Sequence, residues 1–197
     1  MLIGIHGKAG VGKDLAAAIL IGAYGGKRFA FADPLRTIAA AMFDLDPMDF
    51  DTQEKKAIVD DRWNMSRRWM LQFVGTELVR QQLSDRHWIK LLHLRRQRLP
   101  SRVINHFITD CRFANEIDYV LDQGGFILHI ASDSRNAIKY GSSEAAHASE
   151  SELDMTRAKE YNRYSYIQND GTMARYRMDV IDAYDAFFKR EAEMKKE

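Results

Sequence analysis

The sequence predicts an α/β fold, a five-stranded parallel sheet with helices on both faces, and three observations predict it. Short apolar runs alternate with helical patterns along the chain, an order that right-handed crossovers turn into a parallel sheet. Between the first apolar run and the first helical pattern stands Gly7-Lys8-Ala9-Gly10-Val11-Gly12-Lys13-Asp14, a G-x-x-x-x-G-K frame. Such a loop binds phosphates, because its glycines let backbone N–H groups turn inward and a helix begins where negative charge must sit. Finally, the Gly7 loop, Asp33, Asp110 to Arg112 and Asn169 to Thr172 all come just after predicted strand ends, where open α/β sheets bind their ligands.

The whole-chain numbers bound this reading. With 197 residues, 46% hydrophobic and 29% charged, the chain can bury a full core, and a single domain spanning 1–197 is expected. A formal net charge of +1 gives no overall drive toward nucleic acid or membrane, so any basic patch is local and suited to a small anion. The single cysteine, Cys111, excludes an intramolecular disulfide and fits a reducing cytoplasm; it reads as a buried strand-end residue. The first residues run straight into a strand and no apolar run is long enough to cross a bilayer, so a cytoplasmic protein is expected.

Taken in order, Leu2 to Ile5 is a short buried strand, and Leu15 to Leu20 is rich in helix formers. Arg28 to Ala32 reads as a second strand, after which Asp33 is an N-cap and Pro34 the first helical residue of a helix to about Phe43. Residues 44–61 are acidic and weakly patterned, a surface connection with room for a helical turn. From Ser66 to near Leu83 a helix is expected whose buried face is Trp69, Met70, Phe73, Val74 and Leu78. Ser84 and Asp85 are N-cap candidates for the next helix, with Trp88, Ile89, Leu91 and Leu92 on its apolar side and Pro100 closing it.

Val103 to Thr109 is the third strand, Asn115 to Gln123 a helix stopped by Gly124-Gly125, and Phe126 to Ile130 the fourth strand. Residues 131–155 have little apolar periodicity and read as a mobile surface segment. Tyr164 to Gln168 is the last strand, and the terminal helix buries Met173, Tyr176, Val180, Tyr184 and Phe187.

Phosphoryl transfer needs donor phosphates held, a metal placed, an acceptor aligned and charge spread over cations. Lys13 suits the terminal phosphates of the donor. Asp110 either orients Mg²⁺ or its waters, accepts the acceptor's proton, or only caps its loop. Arg112 has a planar fork that can grip a phosphate, or it is a surface ion pair. Asp14, where a Ser or Thr hydroxyl normally binds Mg²⁺, must act on the ion directly or through water, since a bare carboxylate would repel the phosphates.

Arg67, Arg68, Arg80 and Arg86 crowd the helical region of 44–100, either as an acceptor site or as a solvated face. Trp63, Trp69 and Trp88 are stacking candidates, with Trp69 assigned to the core by its spacing. Arg135 and Lys139 would be lid residues in 131–155. His147 and Glu150 are too few for a metal site and read as surface.

Together these motifs resemble the deoxynucleoside monophosphate kinases of tailed bacteriophages. The resemblance is carried by Gly12-Lys13-Asp14, Trp63 with Ser66-Arg67-Arg68, Gly75-Thr76-Glu77, Asp85 to Lys90, Asp110 to Glu116 and Asn169-Asp170-Gly171, in order over most of the chain. It implies a three-layer P-loop kinase fold that moves the γ-phosphate of ATP, with Mg²⁺, to a deoxynucleoside 5′-monophosphate in the host cytoplasm.

Carried over, Gly7, Gly10, Val11, Gly12, Lys13, Asp14 and Leu15 would hold the ATP phosphates, with Asn169 and Gly171 against the adenine. Asp14 and Asp110 would serve the metal. Arg67 or Arg68 would bind the acceptor phosphate, with Asp33, Gln72 and Trp88 near the acceptor, and Arg112 would meet the transferred group. A homodimer is also possible on this resemblance. Two features depart from it: Leu15 stands where a Thr is usual, and the stretch before Trp63 is short.

Two other readings use the same loop. One is a kinase for a different acceptor, a nucleoside or dephospho-coenzyme A; the acceptor-region arginines argue for a substrate that already carries phosphate. The other is a switch that holds nucleotide without transferring phosphate, which would have little use for Arg112.

Overall fold

In the computed structural model, residues 1–100, 103–136 and 155–194 are described. The first half of the chain forms β1 (Leu2–His6), α1 (Lys13–Tyr24), β2 (Lys27–Phe29), α2 (Ala32–Phe43), a 3-10 turn (Pro47–Phe50), α3 (Gln53–Ala57), β3 (Val59–Asp60), β4 (Met65–Ser66) and α4 (Arg67–Gln72). A π-helical stretch, Phe73–Arg80, continues α4. Then come α5 (His87–Gln97), β5 (His106–Cys111), α6 (Ala114–Asp122), β6 (Phe126–Ala131), α7 (Asp133–Asn136), α8 (Thr156–Glu160), β7 (Tyr164–Gln168) and α9 (Met173–Met194). The chain divides into two compact units, Met1–Ala30 with Leu99–Glu197, and Phe31–Arg98.

The first unit holds the expected five-stranded sheet, all parallel, in the order β2-β5-β1-β6-β7. Every residue of β1 is buried, as a central strand of a doubly covered sheet requires. On one face Ile3, Ile5, Phe107 and Leu128 join Ala16 and Leu20 of α1 and Tyr176, Val180 and Phe187 of α9 in one core. On the other, α6 packs against β1 and β6.

The pairing of β1 with β5 runs Gly4↔Ile108 and then His6↔Cys111, so Thr109 and Asp110 together face Ile5. An extra residue of this kind breaks the side-chain alternation and re-aims the side chains beyond it. It places Asp110 at an irregular strand end beside the phosphate loop's own strand.

In the second unit, Ala39, Ala40 and Phe43 of α2 pack with Phe50, Met70 and Val74. The connection 44–61 is more ordered than its composition suggests. Asp46 caps the 3-10 turn by accepting from Met48 N–H at 2.8 Å, Thr52 caps α3, and Phe50 is fully buried. The β3–β4 ladder pairs Val59 with Ser66 and Asp60 with Met65.

Several expectations need correction. Asp33 is not an N-cap: α2 begins at Ala32 behind Phe31, so Asp33 lies inside the first turn, where its charge suits the helix dipole. β2 is correspondingly shorter, ending at Phe29, and β5 starts only at His106. Trp69 and Leu78 are not core. The core takes the Met70–Val74 stripe, Trp69 lies one position over and stacks on Phe73 at 5.0 Å, and the wider π turn shifts Leu78 outward. Met173 is exposed as well. The helix α8 has no counterpart in the sequence pattern; Ala158 and the adjoining Met155 anchor it in buried positions.

Candidate active site

Gly7 leaves β1 with φ 143°, and a Cβ there would sit 2.1 Å from the Ile130 carbonyl oxygen. Only glycine lets the loop turn this close to β6. The turn ends at Gly12, φ 107°, which serves as N-cap of α1. Lys13, the first helical residue, is 8% exposed, and its ammonium donates to the carbonyls of Gly7 at 2.7 Å and Lys8 at 2.6 Å. The side chain therefore curls back over the loop, which puts its charge inside the cradle rather than out in solvent.

Two side chains brace the loop from the far end of the chain. Asn169, 2% exposed, donates its amide to the Val11 carbonyl at 2.7 Å, and the Tyr176 hydroxyl donates to the Gly12 carbonyl at 2.9 Å. Asn169 thus touches the loop itself, while Gly171 is exposed, and a Cβ there would meet only the Arg175 side chain at an ordinary 3.7 Å. Helical spacing marks Tyr176 only as core; the bond its hydroxyl makes lies beyond what spacing can reveal.

Asp14 Oδ1 accepts from Arg28 Nε at 2.8 Å. Partial desolvation by the surrounding loop raises its pKa, but the hydrogen bond from Arg28, the nearby Thr109 side chain and the charges of Arg28 and Lys13 outweigh this and leave it below the usual carboxylate value. Leu15 is half-buried and packs against the core of the sheet, so a side chain that lacks an explanation in sequence has a packing one.

After the irregular end of β5, the backbone N–H groups of Arg112 and Phe113 both donate to the Glu116 carboxylate, at 2.7 Å and 3.1 Å. Glu116 is 2% exposed and fixes the strand-to-helix turn that carries Asp110 and Arg112, both half-buried. Burial, with the charges of Glu116 and Asp110, pushes the Cys111 thiol well up, which suits an inert strand-end cysteine.

Asp170 accepts from the hydroxyls of Ser132 at 2.7 Å and Ser134 at 2.6 Å and from the N–H groups of Asp133 and Ser134. These bonds, led by Ser134, hold its carboxyl far below the usual value and tie the loop after β7 to the start of α7. Arg135 belongs to α7, but its side chain lies outside the described residues, as do Lys139, His147, Glu150 and most of the expected lid.

Under the loop, His6 and His129 meet edge to face at 4.8 Å. His6 Nδ1–H donates to the Cys111 carbonyl at 2.8 Å, and His129 Nδ1 pairs with the Tyr164 hydroxyl at 2.8 Å. The Tyr166 ring and the Lys159 ammonium also face this cluster. Burial, with the charges of His6 and Lys159, pushes His129 down to about 4. In the unfolded chain the same ring takes up a proton below about 6.5, so stability is lost as pH falls from there toward 4. Melting temperature plotted against pH should fall less steeply over this window in His129→Gln than in the unaltered protein; parallel curves would remove His129 as the cause.

In the second unit Arg67 Nη1 pairs with Asp49 at 3.1 Å, while its Nε is buried with no hydrogen-bond partner among the described residues. Arg68 donates to Gln53 at 2.9 Å. Ser66 caps α4 by accepting from Trp69 N–H at 3.1 Å, so both arginines open a capped helix. Gln72 is half-buried just before the π stretch. Trp88 is 3% exposed and its indole N–H donates to the Gly75 carbonyl at 2.9 Å, so it holds the π stretch from within. Arg80 donates to the Asp85 carbonyl at 2.9 Å, and Arg86 is exposed.

The sheet order and the braced loop define the class, a P-loop kinase fold. Two solved structures share it across nearly their whole length. A dephospho-CoA kinase from Campylobacter jejuni matches with TM-score 0.53 at 12% identity over 96% of this chain and 98% of its own. The crystal structure of TT1252 from Thermus thermophilus matches with TM-score 0.51 at 17% identity over 96% and 97%.

Sequence likeness narrows the class: the chain belongs to the deoxynucleotide monophosphate kinase family, whose profile matches residues 43–180. A protein of Acanthamoeba polyphaga mimivirus that carries the same designation is 32% identical over 201 residues, covering 94% of this chain and 96% of its own. The protein is therefore a nucleotide kinase. Among the described residues no helix is long and apolar enough to cross a membrane.

Proposed function

We propose that the protein transfers the γ-phosphate of ATP to a deoxynucleoside 5′-monophosphate and releases the diphosphate. The observation that carries the acceptor half is Arg67. A buried guanidinium N–H with no acceptor costs about 1–3 kcal/mol, more beside a charge, and a phosphate oxygen would remove that penalty through a charge-assisted bond. A bare nucleoside has no such group to offer.

In this reading Lys13 exchanges its loop carbonyls for donor phosphate oxygens, and the N–H groups of Gly10, Val11 and Gly12 line the same cradle. Arg112, on the turn held by Glu116, meets the transferred group. The exposed Gly171 lies against the adenine, with Asn169 as the brace behind it. Arg67 and Arg68 take the acceptor phosphate, with Gln72 in contact, Asp33 as a further acceptor residue and Trp88 supporting the π stretch.

Among the described residues no group of three or more His, Cys, Asp or Glu could hold a metal unaided. That fits Mg²⁺, which keeps its waters and is bound by one or two carboxylates together with phosphates. Asp110 is the carboxylate proposed for it, directly or through water. When bound with the nucleotide, Mg²⁺ neutralises charge on the donor phosphates.

The test is direct: incubate the protein with ATP, Mg²⁺ and each deoxynucleoside monophosphate, with nucleosides and dephospho-coenzyme A alongside, and separate the products. Diphosphate from at least one deoxynucleoside monophosphate is expected. Product from dephospho-coenzyme A alone would move the assignment to that acceptor, and ATP binding without any product would favour the switch.

A further inference from the structure

The residue after Lys13 poses an electrostatic problem. Asp14 is exposed over 72% of its side chain, at the start of the helix whose N-terminus faces the donor phosphates, and a carboxylate there repels them. Its observed partner is a strand residue: Arg28 of β2 donates through Nε at 2.8 Å. β2 is paired with β5, Arg28 opposite Phe107 and Phe29 opposite Ile108, so this partner is set on the sheet.

We infer that Arg28 offsets the Asp14 charge that would oppose donor binding, and that Asp14 is a positioning residue that works through Arg28 instead of ligating the metal. A Ser or Thr in the place of Asp14 could not hold a guanidinium by charge, and an Asp without Arg28 would oppose the ligand. The pair also ties the first turn of α1 to the sheet edge, so the loop's exit is fixed at both Gly12 and Asp14. This rests on the reading of the loop as the donor phosphate site.

The experiment is a set of ATP titrations, with Mg²⁺ and with chelator, on the full chain and on Arg28→Gln, Asp14→Asn, the double variant and Lys13→Ala. Arg28→Gln should weaken ATP binding roughly tenfold or more, with or without Mg²⁺, because it leaves a lone carboxylate. The double variant should recover to within about threefold of the unaltered protein. Recovery in the double variant cannot come from the fold, because it lacks the same guanidinium; thermal unfolding of each variant separates instability from binding.

A double variant as weak as, or weaker than, Arg28→Gln overturns the inference. So does an Asp14→Asn loss seen with Mg²⁺ and absent with chelator, which would make Asp14 a metal ligand. If Lys13→Ala binds ATP as well as the unaltered protein, the donor reading of the loop fails first and the inference with it.

Discussion

Replacing Lys13 with alanine should lower kcat/KM on the order of a thousandfold while the fold survives. The ammonium has three donors and no acceptor, and it lies in the cradle on the carbonyls of Gly7 and Lys8 at 2.7 Å and 2.6 Å. A phosphate arriving there replaces neutral acceptors with anionic ones, and the interaction strengthens as charge develops on the moving group. The methyl of alanine removes that charge and also leaves two loop carbonyls without their donor. Arginine should not restore activity, since its planar fork is no substitute for a compact point charge. Steady-state kinetics on a variant with an unchanged melting profile decide it; near-normal kcat/KM would strike Lys13 from the site.

Arg112→Ala should reduce kcat by roughly a thousandfold and change ATP affinity by no more than about threefold. The turn that carries Arg112 is held through its backbone N–H and the Glu116 carboxylate, a bond the substitution leaves intact. The variant therefore tests the guanidinium alone. An arginine that meets the transferred phosphoryl group acts in the transition state, so kcat and kcat/KM should drop together. If KM rises with kcat unchanged, Arg112 only binds substrate and its assigned part in transfer is wrong.

The features legible in the sequence and those that are not divide along a physical line. The central strands β1, β5 and β6 are largely apolar and the Gly7 loop sits between strand and helix, so local pattern suffices for the middle of the sheet and for the loop, whereas the polar Lys27–Phe29 of β2 shifts that strand's bounds. The helix start near Ser66 and the burial of Met70, Val74, Tyr176, Val180 and Phe187 can be read from spacing alone. Trp69 is misplaced by spacing because two adjacent stripes of the same helix are apolar and only packing decides which one the core takes.

The braces are illegible for another reason. Asn169 reaches Val11 and Tyr176 reaches Gly12 across 158 and 164 residues, and no periodicity encodes a single hydrogen bond over such a distance. In the sequence Arg28 is one strand residue among others; its pairing with Asp14 depends on where β2 joins the sheet. The separate packing of Phe31–Arg98 as a unit is likewise absent from composition, which shows no break at either end.

The two braces also settle the polarity of the loop. A trans peptide is planar, with its C=O and N–H on opposite sides. With the Val11 carbonyl drawn toward Asn169, the N–H of Gly12 must face the other way; with the Gly12 carbonyl drawn toward Tyr176, so must the N–H of Lys13. The donors that would meet an anion are thus aimed before any ligand arrives, by side chains on the loop after β7 and on α9. A substitution at Tyr176, distant in sequence, would leave the Gly12 carbonyl to the Ala16 N–H alone and loosen the aim that each incoming nucleotide would otherwise find already set.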